Sequence, residues 1–432
     1  MLIHVVKRGD TVSSVAAMHG VLPQLLAADN GLAADASLAV GQALVVRVPR
    51  TLHTVRAGDT LFSLARHYGL SVRTLLRRNF YLHGRAALRA GDPLVIDYAD
   101  EAPLARLGVN AYAYPHIDAA LLDATLPYLT YLTPFTYGVA PAGGLVPLAD
   151  DALLAAASRC GAAPLMHLST LTDDGGFSSD NAEALLRSEH AQNTLAAVLS
   201  RTMAQKDYYG LDVDFEYVPS GLREAYAAFV CRLRETLNAE GCPVIAALAP
   251  KTSAQQRGLL YEAHDYALLG AAANAVFLMT YEWGYTYGEP MAIAPLLQVR
   301  AVLNYALSEL APEKILLGLP LYAYDWPLPY EAGITKAVTL SSQQAAAQAA
   351  RLGAEISYDE TARSPYYHYR DLARREHVVW FEDARSLSEK LRLAAGEGLQ
   401  GVGCWQLGRE LTQFWPLLDA LIDIEVIVRA RQ

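Results

Sequence analysis

The stretch YYGLDVDFEYVP, residues 208–219, places three carboxylates inside what otherwise reads as a buried strand. Asp212, Asp214 and Glu216 alternate with apolar residues, and successive side chains of a strand point to opposite faces. The three acids therefore share one face of the strand. Burying several aligned, unpaired carboxylates is unfavourable. The pattern indicates a strand whose acidic face lines a functional cavity.

The rest of the chain predicts the fold around this strand. Apolar, strand-like runs alternate with Ala- and Leu-rich helical patterns, which favours an α/β fold, a (β/α)8 TIM barrel. Active sites of this fold lie at the C-terminal ends of the strands. We expect the barrel over residues 104–428, with a small α+β insertion at about 327–382 after the seventh strand. The predicted strands are 107–114, 128–138, 163–170, 209–218, 243–251, 274–283, 315–326 and 398–408.

Composition excludes several classes of function. The 432 residues are 53% hydrophobic and carry a formal charge of −10, whereas nucleic-acid binding needs a basic surface. Four scattered cysteines without a CxxC pair predict neither a disulfide scaffold nor a zinc site, and we expect no metal and no cofactor. The N-terminus lacks a signal-peptide pattern, and no apolar run is long enough to span a bilayer. We therefore expect no membrane partner and a cytoplasmic location, unless delivery needs no signal.

Two similar segments precede the barrel. HVVKRGDTVSSVAAMHGV (4–21) aligns with HTVRAGDTLFSLARHYGL (53–70), and LAVGQALVV (38–46) aligns with LRAGDPLVI (88–96). Each repeat predicts a strand, a GDT turn, two helices and a second strand. The N-terminal region is therefore expected to contain two small βααβ domains.

These repeats resemble the LysM module, which binds N-acetylglucosamine-containing glycans in a groove beside the GDT turn. We expect one module over residues 1–49 and a second over 51–98. Gly followed by Asp-Thr is also good turn and helix N-cap chemistry, so a structural role for these side chains stands beside a glycan contact. The residues that the resemblance brings forward are Gly9, Asp10, Thr11 and Asn30 in the first module and Gly58, Asp59, Thr60 and Asn79 in the second.

The spacing of the three acids also predicts their chemistry. Neighbours on one strand face lie about 6.6 Å apart, and their repulsion raises the pKa of at least one carboxyl group, which suits a general acid. Ordinary retaining glycosidases place an acid and a nucleophile on opposite sides of the scissile bond, which acids on one strand face do not easily do. The nucleophile could instead be the 2-acetamido oxygen of an N-acetylhexosamine substrate.

GLDVDFE (210–216) resembles the DGxDxDxE signature of glycoside hydrolase family 18, whose barrels use such substrate-assisted catalysis. The resemblance implies that Glu216 is the general acid, that Asp214 orients the acetamido group and stabilises the oxazolinium ion, and that Asp212 tunes Asp214. The family's first Asp falls at Tyr209 in this chain, which departs from the signature.

Other strands carry candidates for substrate contacts. LMTYEW (278–283) resembles the sixth-strand motif of the family and implies that Tyr281 donates to the acetamido carbonyl, although Glu282 stands where the family usually has Asp. Trp405 matches the residue that forms the apolar floor under the −1 sugar. Plain core packing is the alternative reading for each aromatic candidate. The candidate substrate-binding residues are Trp405, Met279, Trp283, Tyr322 and Trp326.

Three further segments, 316–329, 364–371 and 378–387, resemble the spore-cortex-lytic branch of the family. The resemblance implies a retaining N-acetylglucosaminidase acting on peptidoglycan, in spore cortex during germination, with the modules holding the enzyme on the glycan. It also implies a location in the coat and cortex region of the spore without a signal peptide. Two alternatives stay open: a hydrolase of chitin or chito-oligosaccharides, and a non-catalytic glycan-binding spore-coat protein. We expect a monomer.

Overall fold

The computed structural model describes residues 1–140, 142–172 and 176–427. The N-terminal repeats fold as two βααβ modules, as predicted. In the first, the hydroxyl of Thr11 accepts the N–H of Ser14 at 3.0 Å and caps the first helix, and Gly20 ends that helix in the left-handed region. The elements are β1 (Leu2–Val5), α1 (Val12–His19), α2 (Pro23–Asp29), β2 (Ala43–Val46), β3 (Pro49–Thr54), α3 (Leu61–Tyr68), α4 (Val72–Arg78) and β4 (Pro93–Tyr98).

Both modules pack directly on the barrel. Asp419, near the C-terminus of the chain, accepts ion pairs from Arg47 of the first module at 3.1 Å and from Arg77 of the second at 3.0 Å. Arg47 is buried and also pairs with Asp100 in the linker at 2.7 Å. Breaking a buried, shared network of this kind leaves charges uncompensated. The network therefore fixes the modules relative to the barrel.

After the linker the chain alternates strands and helices. Each parallel strand is nearly continuous in apolar residues because helices cover its outer side. In chain order the elements are β5 (Ala105–Ala113), α5 (Ala119–Thr125), β6 (Tyr131–Pro134), β7 (Tyr137–Val139), β8 (Leu145–Val146), α6 (Asp151–Cys160), β9 (Ala163–Ser169), α7 (Ser179–Leu186), α8 (Glu189–Lys206), β10 (Gly210–Asp214), α9 (Arg223–Asn238), β11 (Val244–Leu248), α10 (Tyr266–Ala272), β12 (Ala275–Leu278), α11 (Leu296–Glu309) and β13 (Ile315–Pro320).

An antiparallel five-stranded sheet with one helix follows β13. The predicted seventh strand, 315–326, is in fact two strands, because residues 316–320 pair with 401–405 in the barrel, whereas residues from Tyr322 onward pair with strands of the insertion. The insertion sheet accordingly starts at Tyr322, before the predicted residue 327. The remaining elements are β14 (Tyr322–Pro327), β15 (Val338–Ser341), α12 (Ser342–Leu352), β16 (Ser357–Asp359), β17 (Ser364–Arg370), β18 (Glu376–Trp380), α13 (Ala384–Gly396), β19 (Gly401–Trp405), α14 (Phe414–Leu421) and β20 (Ile422–Ile424).

Eight parallel strands close into a barrel in the order β5, β6, β9, β10, β11, β12, β13 and β19, and β19 pairs with β5. The predicted TIM barrel is thus confirmed. Gly318 and Gly403 leave room for the ring of Phe277 inside it, since a Cβ on Gly403 would lie 2.4 Å from that ring. The predicted end of the barrel domain, residue 428, lies outside the described residues. None of the described helices has the length and apolar character needed to cross a membrane.

Candidate active site

Strand β10 directs its acids into the barrel and its apolar side chains outward. Phe215 is fully buried, and its ring stacks on the ring of Tyr226 in α9 at 5.7 Å. On the opposite face, Asp212 and Asp214 are 1% and 5% exposed, whereas Glu216, just beyond the strand, is half-buried. The alternation predicted from the sequence is therefore what the structure shows.

A cavity of about 260 Å³ opens above these acids at the C-terminal end of the barrel. Five predicted site residues line it: Asp214, Glu216, Met279, Tyr281 and Trp405. Most of the other lining residues are aromatic or apolar, as in most pockets for small organic ligands. They are Tyr112, Phe135, His167, Phe177, Ala247, Pro250, Leu260, Tyr261, Phe277 and Glu282.

Asp212 lies below the cavity lining in a buried polar cluster. The hydroxyl of Tyr112 donates to its Oδ2 at 2.7 Å, and burial raises the pKa of Asp212 to about 6, against the opposing effects of nearby His167 and of this hydrogen bond. Nε2 of His167 lies 3.5 Å from Oδ2 of Asp214. The Oδ1 atoms of both aspartates have no hydrogen-bond partner among the described residues. In each of the two aspartates, therefore, Oδ2 contacts a neighbouring side chain and Oδ1 does not form a hydrogen bond within the described residues.

Tyr112 and His167 were not identified from the sequence. A histidine in the middle of the otherwise apolar run APLMHLS of β9 is a signal that could have found His167. Tyr112 lies in β5 within a run that alternates small and aromatic residues, and this pattern does not distinguish it from a core tyrosine. Both come from strands distant in sequence from β10, so only the closed barrel brings them to the acids.

The surroundings of Glu216 favour the protonated form of its carboxyl group. Its partial burial and the negative charges of Asp214 and Glu282 raise the pKa of Glu216 well above its usual value. Burial of His264 lowers the pKa of that imidazole to about 4, so His264 is neutral. Its Nδ1 accepts the N–H of Ala249 at 2.8 Å, which puts the proton on Nε2, and Nε2 donates to the carbonyl of Phe215 at 3.0 Å. His264 thereby fixes the backbone between the two acids.

Tyr281 and Glu282 follow strand β12 at the cavity. Burial raises the pKa of Tyr281 well above its usual value, so its hydroxyl stays a donor. Glu282 adopts a left-handed conformation with φ of 64°, which is uncommon for a non-glycine residue. Its carboxylate accepts the hydroxyls of Tyr322 at 2.5 Å and Tyr324 at 3.0 Å. Glu282 as a whole is exposed, but neighbouring residues partly desolvate its carboxyl group, which raises the pKa of Glu282.

Three predicted sugar contacts lie outside the cavity lining. Trp326 is 0% exposed and donates its indole N–H to the carbonyl of Gly288 at 3.0 Å, so the prediction that it forms a sugar platform is wrong. Tyr322 is buried and supports Glu282 instead of reaching the cavity. Trp283 is half-buried, and its contact with a sugar stays a prediction. By contrast, Trp405 faces the cavity and packs edge-on against Phe135 at 4.8 Å.

The candidate residues of the two modules have internal partners. Asn30 and Asn79 are buried, and each bonds the N–H and C=O of one residue of the last strand of its module, so the prediction that they contact glycan is corrected to a structural role. The threonines cap helices, and each aspartate accepts a backbone N–H within its turn. Glycan contact at the turns stays a prediction for Gly9, Asp10, Thr11, Gly58, Asp59 and Thr60.

A closed (β/α)8 barrel with clustered acids at the end of its fourth strand, beneath an aromatic cavity, has the architecture of a glycosidase. The family model "Glycosyl hydrolases family 18" matches residues 169–410, and the LysM domain model matches residues 4–47 and 53–97. The chain therefore belongs to glycoside hydrolase family 18 and carries two LysM domains.

Comparison with individual proteins shows which members of the family this chain resembles. A cortical fragment-lytic enzyme of Bacillus subtilis (strain 168) is 38% identical over 433 residues, which cover 98% of this chain and 99% of that protein. The crystal structure of the Bacillus megaterium QM B1551 spore cortex-lytic enzyme SleL matches with a TM-score of 0.82 at 34% identity, over 99% of each chain. The Bacillus cereus SleL structure matches with a TM-score of 0.83 at 33% identity, over 98% of each chain. The protein is thus a family 18 glycosidase related to the spore cortex-lytic enzymes.

Proposed function

We propose that the protein hydrolyses β-linked N-acetylglucosamine in peptidoglycan, in particular that of spore cortex, with retention of configuration and with the substrate's acetamido group as nucleophile. The observation that carries this proposal is the pairing of Glu216, whose pKa is raised, with Asp214, whose Oδ1 has no partner among the described residues. A protonated acid beside an acceptor for an amide N–H is the combination that this chemistry requires.

Glu216 donates its proton to the glycosidic oxygen while the bond from that oxygen to C1 breaks. The acetamido carbonyl oxygen forms a bond to C1 on the opposite face, which gives an oxazolinium ion. Asp214 accepts the acetamido N–H and balances the positive charge. A water then adds to C1 and gives a proton to the Glu216 carboxylate as the bond from the acetamido oxygen breaks. Two displacements at C1 leave its configuration retained.

The surrounding residues support these steps. Tyr281 lines the cavity with a hydroxyl that stays protonated, and we assign it to the acetamido carbonyl. Trp405 presents an apolar ring surface to the C–H face of the sugar. Asp212, with a pKa of about 6, lies next to Asp214 on the strand and modulates its charge. Together these groups bind and orient the sugar while Glu216 transfers the proton.

The substrate class rests on the LysM domains and on the relatives named as cortical fragment-lytic and spore cortex-lytic enzymes. The modules would hold the enzyme on insoluble glycan and raise its local concentration there. Peptidoglycan of spore cortex is accordingly the proposed target, and the spore is the proposed location.

The test compares fragments released from purified spore cortex, vegetative cell wall and chitin, analysed by mass spectrometry. We expect fragments with N-acetylglucosamine at the reducing end from cortex, and none from the Glu216→Gln variant, which should still bind the wall. Glu289→Gln, at an exposed acid on the loop after β12, is the matched control and should remain active. A Glu216→Gln variant that keeps most of its activity would show that the acid is misassigned.

A further inference from the structure

Each of the two modules has a surface formed by the turn after its first strand and the loop before its last strand. In both, the residue between the first strand and its turn, Val6 or Val55, forms two backbone hydrogen bonds of 2.8 to 3.0 Å with the loop before the last strand, and these bonds bring the turn and the loop together. We call this joined surface the lip. The first lip comprises residues 7–11 and 38–42, and the second lip comprises residues 56–60 and 88–92. A glycan lying across a module beside its GDT turn would touch both parts of the lip.

The loop 38–42 of the first lip is covered by the insertion and the helix after it, whereas residues 7–9 in the turn of this lip are exposed. Ala39 is buried in the apolar core of the insertion. The carbonyl of Val40 accepts the N–H of Ile356 at 2.8 Å, and the carbonyl of Gly41 accepts Nη2 of Arg385 at 3.1 Å. The approach is so close that a Cβ on Gly41 would lie 1.9 Å from the carbonyl oxygen of Ile356. This loop is therefore a docking segment and is closed to a polymer.

The second lip is open. Its residues Arg89, Ala90 and Gly91 are exposed, and among the described residues only the two chain neighbours of Gly91 can have atoms within 4 Å of the position that a Cβ on Gly91 would take. The second module docks through a different face, where Nε of Arg73 in α4 donates to the carbonyl of Pro127 at 2.8 Å. The loop before the last strand is therefore a contact surface in the first module and an exposed surface in the second.

An aromatic side chain distinguishes the second lip further. Phe62, two residues after the turn threonine, is 71% exposed, and its counterpart in the first module is Ser13. An exposed ring of this size offers a flat apolar surface to a sugar ring, whereas folding of the module does not use it. Arg89, the counterpart of buried Ala39, adds an exposed cation that suits the acidic groups of a cell-wall glycan.

We propose that the second module alone makes the glycan contact of the pair, through Phe62 and the open second lip, and that the loop 38–42 of the first module serves instead to pack that module against the insertion. The occupant is a strand containing N-acetylglucosamine. This inference rests on the proposed function in one respect only, that the modules bind the glycan which the barrel cleaves.

The experiment measures co-sedimentation of the full chain with insoluble peptidoglycan over a range of protein concentrations. All proteins carry Glu216→Gln, so that hydrolysis does not remove the ligand. Phe62→Ala should weaken binding by about tenfold, since an aromatic contact is worth roughly 1 to 1.5 kcal/mol. The matched variant Ser13→Ala should bind within about twofold of the parent. Arg89→Ala, a second variant of the open lip, should also weaken binding.

Two outcomes would overturn the inference. One is unchanged binding by both Phe62→Ala and Arg89→Ala, and the other is a loss in Ser13→Ala as large as that in Phe62→Ala. Because Phe62 and Ser13 are both exposed, equal thermal unfolding midpoints show that the variants are folded. Failure of the proposed function is separate: it would appear as no fragments released from cortex by the unsubstituted protein, whatever the binding results.

Discussion

Replacing Glu282 by glutamine tests how the general acid keeps its proton. The change removes a negative charge that raises the pKa of Glu216, while a glutamine carbonyl can still accept the hydroxyls of Tyr322 and Tyr324. The pKa of Glu216 should fall, because its ionised form is then less disfavoured. Since the acid must be protonated to act, the alkaline limb of the kcat/KM profile should move to lower pH.

The size of the shift follows from the geometry. Glu216 lies two residues after Asp214, just beyond the strand, and residues two apart in an extended chain are about 6.6 Å apart. Two charges at that distance repel by roughly 2.5 kcal/mol at an effective dielectric constant of about 20. That energy corresponds to about 2 pH units. Glu282 acts on Glu216 less strongly than Asp214 does, so we expect a shift of about 1 unit or less.

The assay is the pH dependence of kcat/KM on a chito-oligosaccharide, whose unactivated leaving group needs the acid. A nitrophenyl glycoside would leave without protonation and would hide the effect. Glu289→Gln on the same loop is the control and should leave the limb in place. An alkaline limb that stays fixed in Glu282→Gln, or that moves to higher pH, would refute the electrostatic reasoning.

Three further predictions concern residues around the cavity and in the core. His264 has a pKa of about 4, below its unfolded value, so stability should fall as pH drops from about 6.5 towards 4, by up to roughly 3 kcal/mol; denaturant melts should lose this slope in His264→Gln. Lys390 and Glu382 are fully buried and form an ion pair at 2.8 Å. Lys390→Met should lower the free energy of unfolding by about 3 kcal/mol or more, because it leaves the buried carboxylate without its cation. Equal melting midpoints for the variant and the unsubstituted protein would contradict this prediction. Trp405→Ala should lower kcat/KM at least tenfold through lost sugar packing, and steady-state kinetics with unchanged values would refute its place under the sugar.

Features with a strong local pattern were predictable from the sequence. The alternation in β10 places Asp212 and Asp214 on the same face of the strand. That face must point into the barrel, because the opposite orientation would bury the charges against the helices. The repeats likewise predicted both βααβ modules, since each needs the same turn, cap and buried asparagine. The alternation of strands and helices predicted the barrel.

Features that depend on packing between distant segments were not predictable. The sequence does not distinguish an aromatic residue that faces a cavity from one that faces the core when both lie near strand ends. Trp405 is an example of the first and Trp326 of the second. In the run 315–326 the passage from one sheet to the other follows directly after Pro320, and this proline, which is unfavourable inside a central strand, is the one local signal of the passage. The docking of the first lip depends on Ile356 and Arg385, far away along the chain.

The configuration of the first product tests the central claim most directly. Proton NMR during the first minutes of chito-oligosaccharide hydrolysis, before the anomers equilibrate, reports whether C1 has undergone one displacement or two. The account predicts the β-anomer, since the acetamido oxygen attacks first and water second. An initial excess of the α-anomer would mean a single attack by water and would contradict the roles given to Asp214 and Glu216.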